Sequence, residues 1–161
     1  MRGEISVRAA VENEVALVLD FIRELADFEH LADEVVATEE DLHAALFGSR
    51  PYAEVVFACL DGEPVGFALY FHTFSTFLAR PGLYLEDLYV RADKRGHGYG
   101  KLLFRHLAGL AVARGCGRLE WWVLDWNAPA IDFYRGLGAI AMDEWTVQRL
   151  TGDALKTFAE S

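Results

Sequence analysis

Apolar residues return every three or four positions in several parts of this chain, a spacing that predicts amphipathic helices. The first helix is predicted from Glu12 to about Phe28, with apolar positions at Val15, Val18, Ile22 and Leu25. A second is predicted to start at the capping box of Thr38-Glu39-Glu40-Asp41 and to run through Phe47. A third covers residues 102–111. A fourth starts at the N-cap Asn127, with Pro129 in its first turn, and a short helix is expected after Gly152.

Other stretches concentrate β-branched and aromatic residues between turn-forming residues, which predicts strands. These stretches are residues 5–9, 52–60, 65–74, 83–90, 119–124 and a last one around 145–150. The Asp61-Gly62 pair joins two of them and predicts a hairpin. In chain order the elements read β-α-α-β-β-β-α-β-α-β, which predicts an α/β fold with a mixed sheet.

Composition limits the class of protein. The 161 residues are 53% hydrophobic and contain no Pro- or Ser-rich linker, so we expect a single domain over residues 1–161. The formal net charge of -10 argues against a nucleic-acid partner, because such proteins concentrate Lys and Arg on one face. An acidic surface suits a cationic substrate, although solubility alone also explains it.

Other features of the sequence bear on compartment and metal content. The N-terminus lacks the apolar run of a signal peptide, and no stretch reaches the ~20 apolar residues of a membrane span. We therefore expect a cytoplasmic protein with no membrane partner. Cys59 and Cys116 do not form a Cys-x-x-Cys pair, and no metal is expected.

The predicted strand that ends at Val90 leads to a turn rich in glycine, Arg95-Gly96-His97-Gly98-Tyr99-Gly100, and then to a helix. Glycines let the backbone approach a ligand, and the first N–H groups of a helix lack internal partners, so this turn predicts a phosphate site. The third glycine comes one residue too early for the dinucleotide fingerprint, and Leu102 follows Lys101 where a P-loop requires Ser or Thr. A purely structural turn remains an alternative.

The residues around this turn resemble a known family. Residues 90–103, VRADKRGHGYGKLL, resemble the acetyl-CoA pyrophosphate loop of the GNAT family of N-acetyltransferases, whose signature is Arg/Gln-x-x-Gly-x-Gly/Ala. Residues 22–29, 83–87 and 126–134 resemble the diamine (spermidine/spermine) N-acetyltransferase subfamily, which includes thialysine N-epsilon-acetyltransferases. The resemblance covers residues 4–158. It implies a mixed, mostly antiparallel central sheet flanked by helices, an acyltransferase with acetyl-CoA as donor, and a homodimer.

The resemblance also implies which residues hold the cofactor. Backbone N–H groups of the glycine-rich turn would hold the CoA pyrophosphate, and backbone groups at the end of the preceding strand would pair with the pantetheine arm. Two residues of the fourth helix region would lie along the CoA. The full set is Leu88, Tyr89, Val90, Arg95, Gly96, His97, Gly98, Tyr99, Gly100, Lys101, Asn127 and Arg135.

Two residues match the catalytic positions of the family. Tyr134 matches a tyrosine beside the departing sulfur, and a phenol with a reference pKa near ~10 stays protonated at neutral pH and can give its proton to a thiolate. An aromatic that packs on the sheet is the alternative role for Tyr134. Glu86 would assist deprotonation of the amine, directly or through water. The implied path is direct attack of the amine on the thioester, with no acyl-enzyme.

The small-molecule amine would be bound by carboxylates, since Glu29, Glu86 and Asp87 match family positions that line the amine site, and Trp145 lies in a region that shapes it. A solvated surface charge is the alternative for any one of them, but a Glu-Asp pair in an apolar strand is costly to bury unpaired. The resemblance implies polyamines as the leading candidate substrates, followed closely by lysine-like amines such as thialysine. Three features depart from the subfamily near this pocket: Phe28 in place of Tyr, the short Asp61-Gly62 hairpin, and Glu144-Trp145 without an intervening glycine.

Two other functions stay open. One is acetylation of a protein N-terminus or lysine, which the acidic charge permits. The other is a CoA-binding sensor without turnover, which would keep the glycine-rich turn and work without Tyr134.

Overall fold

A computed structural model describes residues 3–161 as two compact units that divide after Trp122. The first unit contains β1 (Ile5–Ala9), α1 (Val15–Phe28), α2 (Glu39–Phe47), β2 (Glu54–Leu60), β3 (Glu63–Ser75), β4 (Arg80–Val90), α3 (Tyr99–Ala113) and β5 (Leu119–Trp121). The second contains α4 (Ala128–Gly136) and α5 (Gly152–Glu160). The single-domain organisation expected from composition stays a prediction.

The five strands form one sheet in the order β1-β2-β3-β4-β5. The first four pair antiparallel, and β5 lies parallel to β4. The predicted mixed, mostly antiparallel sheet flanked by helices is therefore confirmed. The predicted hairpin is also present, because Asp61 and Gly62 adopt φ angles of 50° and 83°, as the tightest hairpin turns require.

The first two helices start where side chains satisfy their backbone. At α2, Thr38 Oγ1 accepts from the Asp41 N–H and Asp41 Oδ2 accepts from the Thr38 N–H, both at 3.1 Å, which confirms the predicted capping box. The helix α1 starts three residues later than predicted, because Glu12–Glu14 form a 3-10 turn. There Glu14 accepts from the Val11 N–H and from both terminal nitrogens of Arg8.

The core lies on both faces of the sheet. On one face, Val18 and Phe21 of α1 pack with Phe57, Phe67 and Tyr89 of three adjacent strands. The Phe21 ring stacks on that of Phe67, with centroids 5.4 Å apart. Each such fully buried side chain stabilises the fold by about 1.5–3 kcal/mol. The helix α3 packs on the other face. It is the longest helix at 15 residues, and none within residues 3–161 is long and apolar enough to cross a membrane.

The last predicted strand, around Trp145–Leu150, does not form. The apolar residues Trp145, Val147 and Leu150 satisfy a strand pattern, but a strand also needs a neighbour to pair with its backbone. In the part of the chain that the structure describes, no strand pairs with this segment, and the Trp145 N–H donates instead to the nearby Met142 carbonyl at 3.2 Å. The strand predicted at 119–124 is also shorter, ending at Trp121.

Candidate active site

The edge of β4 that faces β5 is open over half of its length. The strand β5 pairs with β4 over Leu83–Leu85 and then ends. From Glu86 to Val90, no strand within residues 3–161 pairs with this edge, whereas the opposite edge pairs with β3 from Asp87 to Val90. Backbone N–H and C=O groups on such an edge can pair with an extended ligand. The predicted cofactor residues Leu88, Tyr89 and Val90 lie in this open part.

A β-bulge at Glu86 sets the direction of the side chains that follow it. In the β3–β4 register, Leu85 pairs with Tyr70 and Asp87 pairs with Leu69, so Glu86 is the extra residue. Paired residues share a face of the sheet, and Leu69 packs against the core beside α1. Asp87 therefore lies on the α1 face, opposite to Leu85. Without the bulge, both would lie on one face, because side chains alternate along a regular strand.

The carboxyl group of Asp87, next to this bulge, is affected by burial and by two other carboxylates. Burial raises the pKa of Asp87 from 3.8 to about 7, and the negative charges of Glu86 and Glu29 add to the effect. Burial also raises the pKa of Glu29. The structure thus brings together three of the four residues predicted for the amine site, namely Glu29, Glu86 and Asp87. In residues 3–161, no group of His, Cys, Asp and Glu side chains could hold a metal ion.

The C-terminal turn of α1 fixes the position of the Glu29 backbone. His30 has a left-handed φ of 60°, its N–H donates to the Asp27 carbonyl at 3.1 Å, and the Leu31 N–H donates to the Ala26 carbonyl at 2.8 Å. This pattern is a Schellman motif, in which the left-handed position is usually glycine. The motif fixes the direction of the chain at Glu29, the last residue before the turn.

The glycine-rich turn forms the N-terminus of α3. Gly96 and Gly98 have left-handed φ angles of 80° and 87°, and Gly98 is the N-cap of the helix. The N–H of Leu102, in the first turn of α3, donates to the carbonyl of the N-cap Gly98 at 3.0 Å. A Cβ atom at Gly96, Gly98 or Gly100 would meet open space. Unpaired N–H groups beside open space fit a pyrophosphate.

Two arginines next to this turn contact α1, which the sequence did not predict. The Arg91 Nε donates to Glu24 Oε2 at 3.3 Å, and its guanidinium lies 4.6 Å from the centre of the Phe21 ring. The Arg95 guanidinium lies over the rings of Phe28 and Tyr89. No local pattern in the sequence predicts the contacts of these arginines with α1, because the residues in contact lie more than sixty positions apart.

Tyr84 is a further residue that the sequence did not assign to the site. Its ring contacts that of Phe71 at 5.1 Å and lies edge-on to Trp122 at 6.2 Å. Burial raises the pKa of Tyr84 to about 12, with added effects of the Glu86 and Glu120 charges. Its phenol therefore stays protonated and neutral beside the carboxylates.

The remaining predicted residues lie in the second unit. The Asn127 Oδ1 accepts from the Ala130 N–H at 3.4 Å, so Asn127 caps α4 as predicted. Tyr134 and Arg135 lie in the last turn of α4, where the Tyr134 carbonyl accepts from the Ala139 N–H at 3.1 Å. Gly138 adopts a φ of 94° there and ends the helix. Trp145 lies beyond α4 and is exposed.

Comparisons with known proteins agree on one family. A family model described as the acetyltransferase (GNAT) family matches residues 19–139. The chain is 39% identical to a thialysine N-epsilon-acetyltransferase of Bos taurus, over 96% of this chain and 97% of the relative. It is 34% identical to the L-ornithine N5-acetyltransferase NATA1 of Arabidopsis thaliana, over 93% of this chain and 86% of the relative.

Solved structures share the fold. An integron cassette protein from the mobile metagenome of V. cholerae superimposes with a TM-score of 0.81 at 30% identity, covering 98% of each chain. An aminoglycoside acetyltransferase from a soil metagenome, solved with sisomicin, superimposes with a TM-score of 0.77 at 19% identity, covering 92% of this chain and 97% of the other. Because the identity to the aminoglycoside acetyltransferase is only 19%, this similarity shows a shared fold and nothing more.

Proposed function

Because this chain belongs to the acetyltransferase (GNAT) family, we propose that it transfers an acetyl group from acetyl-CoA to a primary amine of a small diamine, polyamine or lysine-like compound. The broader class, an N-acetyltransferase that acts on amines, follows from the family and the relatives. The observation that carries the proposal is the open edge of β4. That edge begins at a cluster of carboxylates suited to an amine and ends at a turn suited to a pyrophosphate.

The donor half of the proposed site consists mainly of backbone. Acetyl-CoA supplies the acetyl group as a thioester. Of the predicted N–H groups from Arg95 to Gly100, that of Arg95 donates to the Ala92 carbonyl at 3.4 Å. Those from Gly96 to Gly100 would hold the pyrophosphate, helped by the partial positive charge at the start of α3. Backbone groups of Leu88, Tyr89 and Val90 would hold the pantetheine arm along the open edge. Asn127 and Arg135 would lie further along the CoA.

Glu29, Glu86 and Asp87 would form the acceptor half, and the role of Trp145 stays a prediction from the sequence. Burial is the main cause of the raised pKa of Asp87, and the negative charges of Glu86 and Glu29 add to it, so ionising this carboxyl is costly. A protonated amine would replace the proton that the cluster otherwise retains, so the cluster selects cations. Thialysine and ornithine, in the names of two relatives, are both amino acids with a primary amine on the side chain. This agreement favours a lysine-like acceptor within the proposed class.

The proposed chemistry requires two proton movements. An alkylamine with a pKa near ~10.4 is neutral in only about one molecule in ~2,500 at pH 7, so a base must take a proton before the nitrogen attacks. Glu86 would assist that step, directly or through water. Tyr134 would give a proton to the leaving thiolate as general acid. The amine would attack the thioester directly, with no acyl-enzyme.

The experiment measures release of the CoA thiol over a panel of lysine analogues, ornithine, diamines, polyamines and peptides. We expect turnover of small amines. Tyr134→Phe should lower kcat by about 10²- to 10⁴-fold, the usual contribution of a general acid, while acetyl-CoA binds as in the wild type. Tyr52→Phe, at an exposed tyrosine, is the matched control and should leave kcat unchanged.

Three results would contradict parts of the proposal. Full activity of Tyr134→Phe would remove the general acid. A preference for peptides over every small amine would support the acetylation of a protein N-terminus or lysine instead. Acetyl-CoA binding without thiol release from any amine would support the CoA-binding sensor.

A further inference from the structure

The side chain of Arg95, although open to solvent on one side, is held against two aromatic rings. Its guanidinium carbon lies 4.6 Å from the centre of the Phe28 ring and 5.2 Å from the centre of the Tyr89 ring. Its Nε donates to the Val90 carbonyl at 3.0 Å. A planar guanidinium can stack on aromatic rings and donate a hydrogen bond in its plane at the same time, which lysine cannot do.

The two rings belong to different parts of the proposed site. Phe28 is the last residue of α1 and precedes Glu29, whereas Tyr89 lies two residues beyond Asp87 on β4. The Arg95 side chain therefore connects the acceptor end of α1, the open strand β4 and the turn at the start of α3. We call this Phe28–Arg95–Tyr89 arrangement the arginine stack.

A second contact anchors the other end of the same loop. Arg91, at the start of the 3-10 turn Ala92–Lys94, lies over Phe21 and donates to Glu24. Both of these partners belong to α1. The loop between β4 and α3 is thus attached to one helix at both of its ends, and that helix carries Glu29.

We propose that Arg95 is a positioning residue, whose stack with Phe28 and Tyr89 couples the loop that holds acetyl-CoA to the end of α1 that presents Glu29. The inference rests on the proposed function of this site. In it, the Arg95 side chain contributes to alignment, while its backbone N–H donates to the Ala92 carbonyl at 3.4 Å and helps to close the 3-10 turn. Loss of the stack lets the loop and α1 move independently, so that acetyl-CoA affinity and the KM for the amine change together.

The experiment measures acetyl-CoA binding by calorimetry in the absence of any amine, which separates donor binding from turnover. Phe28→Leu keeps an apolar side chain but removes the ring. We expect it to weaken acetyl-CoA binding about 2- to 5-fold, the usual effect of one partly exposed cation–π pair. Phe28→Tyr keeps the ring and should restore wild-type affinity. Arg23→Gln, at an exposed arginine of α1, controls for the loss of one positive charge in Arg95→Gln.

A double-mutant cycle tests the coupling itself. Phe28→Leu should weaken acetyl-CoA binding in the wild type and have no further effect in Arg95→Gln. Additive effects, or wild-type acetyl-CoA affinity in Phe28→Leu with a change confined to the KM for the amine, would overturn the proposal and make Phe28 a simple lining residue. A wild-type protein that does not bind acetyl-CoA would instead overturn the proposed function itself.

Discussion

Replacement of Asp87 by Asn should stabilise the protein, and by more at pH 8 than at pH 5. The buried Asp87 carboxyl has a pKa of about 7 in the folded protein against 3.8 without these surroundings. Between pH 3.8 and pH 7, the Asp87 carboxyl therefore keeps its proton in the folded protein and loses it in the unfolded chain. Because the folded pKa is the higher one, the cost to stability is absent below pH 3.8, grows between pH 3.8 and 7, and is constant above pH 7.

The size of the effect follows from the two pKa values. At pH 5 the mismatch costs the wild type about 2 kcal/mol, and at pH 8 about 4 kcal/mol, with each unit of pKa equal to about 1.4 kcal/mol. The Asn side chain cannot ionise, so the variant escapes this cost at both pH values. The stability difference between Asp87→Asn and the wild type should then increase by about 2–3 kcal/mol from pH 5 to pH 8.

The assay is urea unfolding followed by circular dichroism at both pH values. Any effect of the Asn side chain on packing is the same at each pH and cancels in the comparison. Asp27→Asn removes one negative charge from the exposed surface of α1 and controls for net charge. A stability difference that stays constant from pH 5 to pH 8, or that matches the control, would refute the assignment of a raised pKa to Asp87.

Two glycine substitutions test the backbone of the donor half, and a third tests the strand beside it. Gly98→Ala should cost about 1–2 kcal/mol of stability and weaken acetyl-CoA binding, because Gly98 has a φ of 87°. Gly100→Ala, two residues on in α3, should gain up to about 1 kcal/mol and keep acetyl-CoA binding, since the family signature allows Ala there. Gly66→Ala should cost about 1–3 kcal/mol and weaken acetyl-CoA binding, because its Cβ would lie 2.7 Å from the carbonyl oxygen of Tyr89 and push β4 away from β3.

Thermal unfolding and calorimetric titration with acetyl-CoA measure both quantities for each variant. Gly109→Ala, on the exposed side of α3 with open space around it, is the control for Gly66→Ala and should raise stability. Equal losses in Gly98→Ala and Gly100→Ala would show that added bulk, and not the left-handed backbone, is the cause. An unchanged acetyl-CoA affinity in Gly66→Ala would show that the position of β4 does not matter to the donor.

Local patterns predicted most of the fold. The capping box at Thr38, the turn at Asp61-Gly62 and the N-cap at Asn127 depend on residues within a few positions of one another, and all three formed as expected. The strand predicted at Trp145–Leu150 does not form, and the reason is the opposite one. A strand depends on a partner elsewhere in the chain, and alternation of apolar residues does not specify that partner.

The same distinction applies to the candidate site. The carboxylates Glu29, Glu86 and Asp87 were found by resemblance, and the structure brings them together. Their arrangement could not be predicted, because it depends on the β-bulge at Glu86. The sequence of a strand does not show where an extra residue interrupts its pairing with a neighbour. The stack of Arg95 on Phe28 and Tyr89 could not be predicted for a similar reason. Its members are joined by the packing of α1 on the sheet, which no spacing in the sequence encodes.

The bulge at Glu86 also has a consequence for self-association. An unpaired strand edge is a template on which another polypeptide can add a strand, and long regular edges lead to aggregation. The bulge breaks the regular ladder of β4 between the three residues paired with β5 and the segment Leu88–Val90. The regular segment that remains is too short to pair stably with a strand of a second polypeptide. A narrow ligand such as a pantetheine arm would need only the few hydrogen bonds that this segment offers. One inserted residue thus shortens the regular run of backbone groups that this edge offers to a second polypeptide.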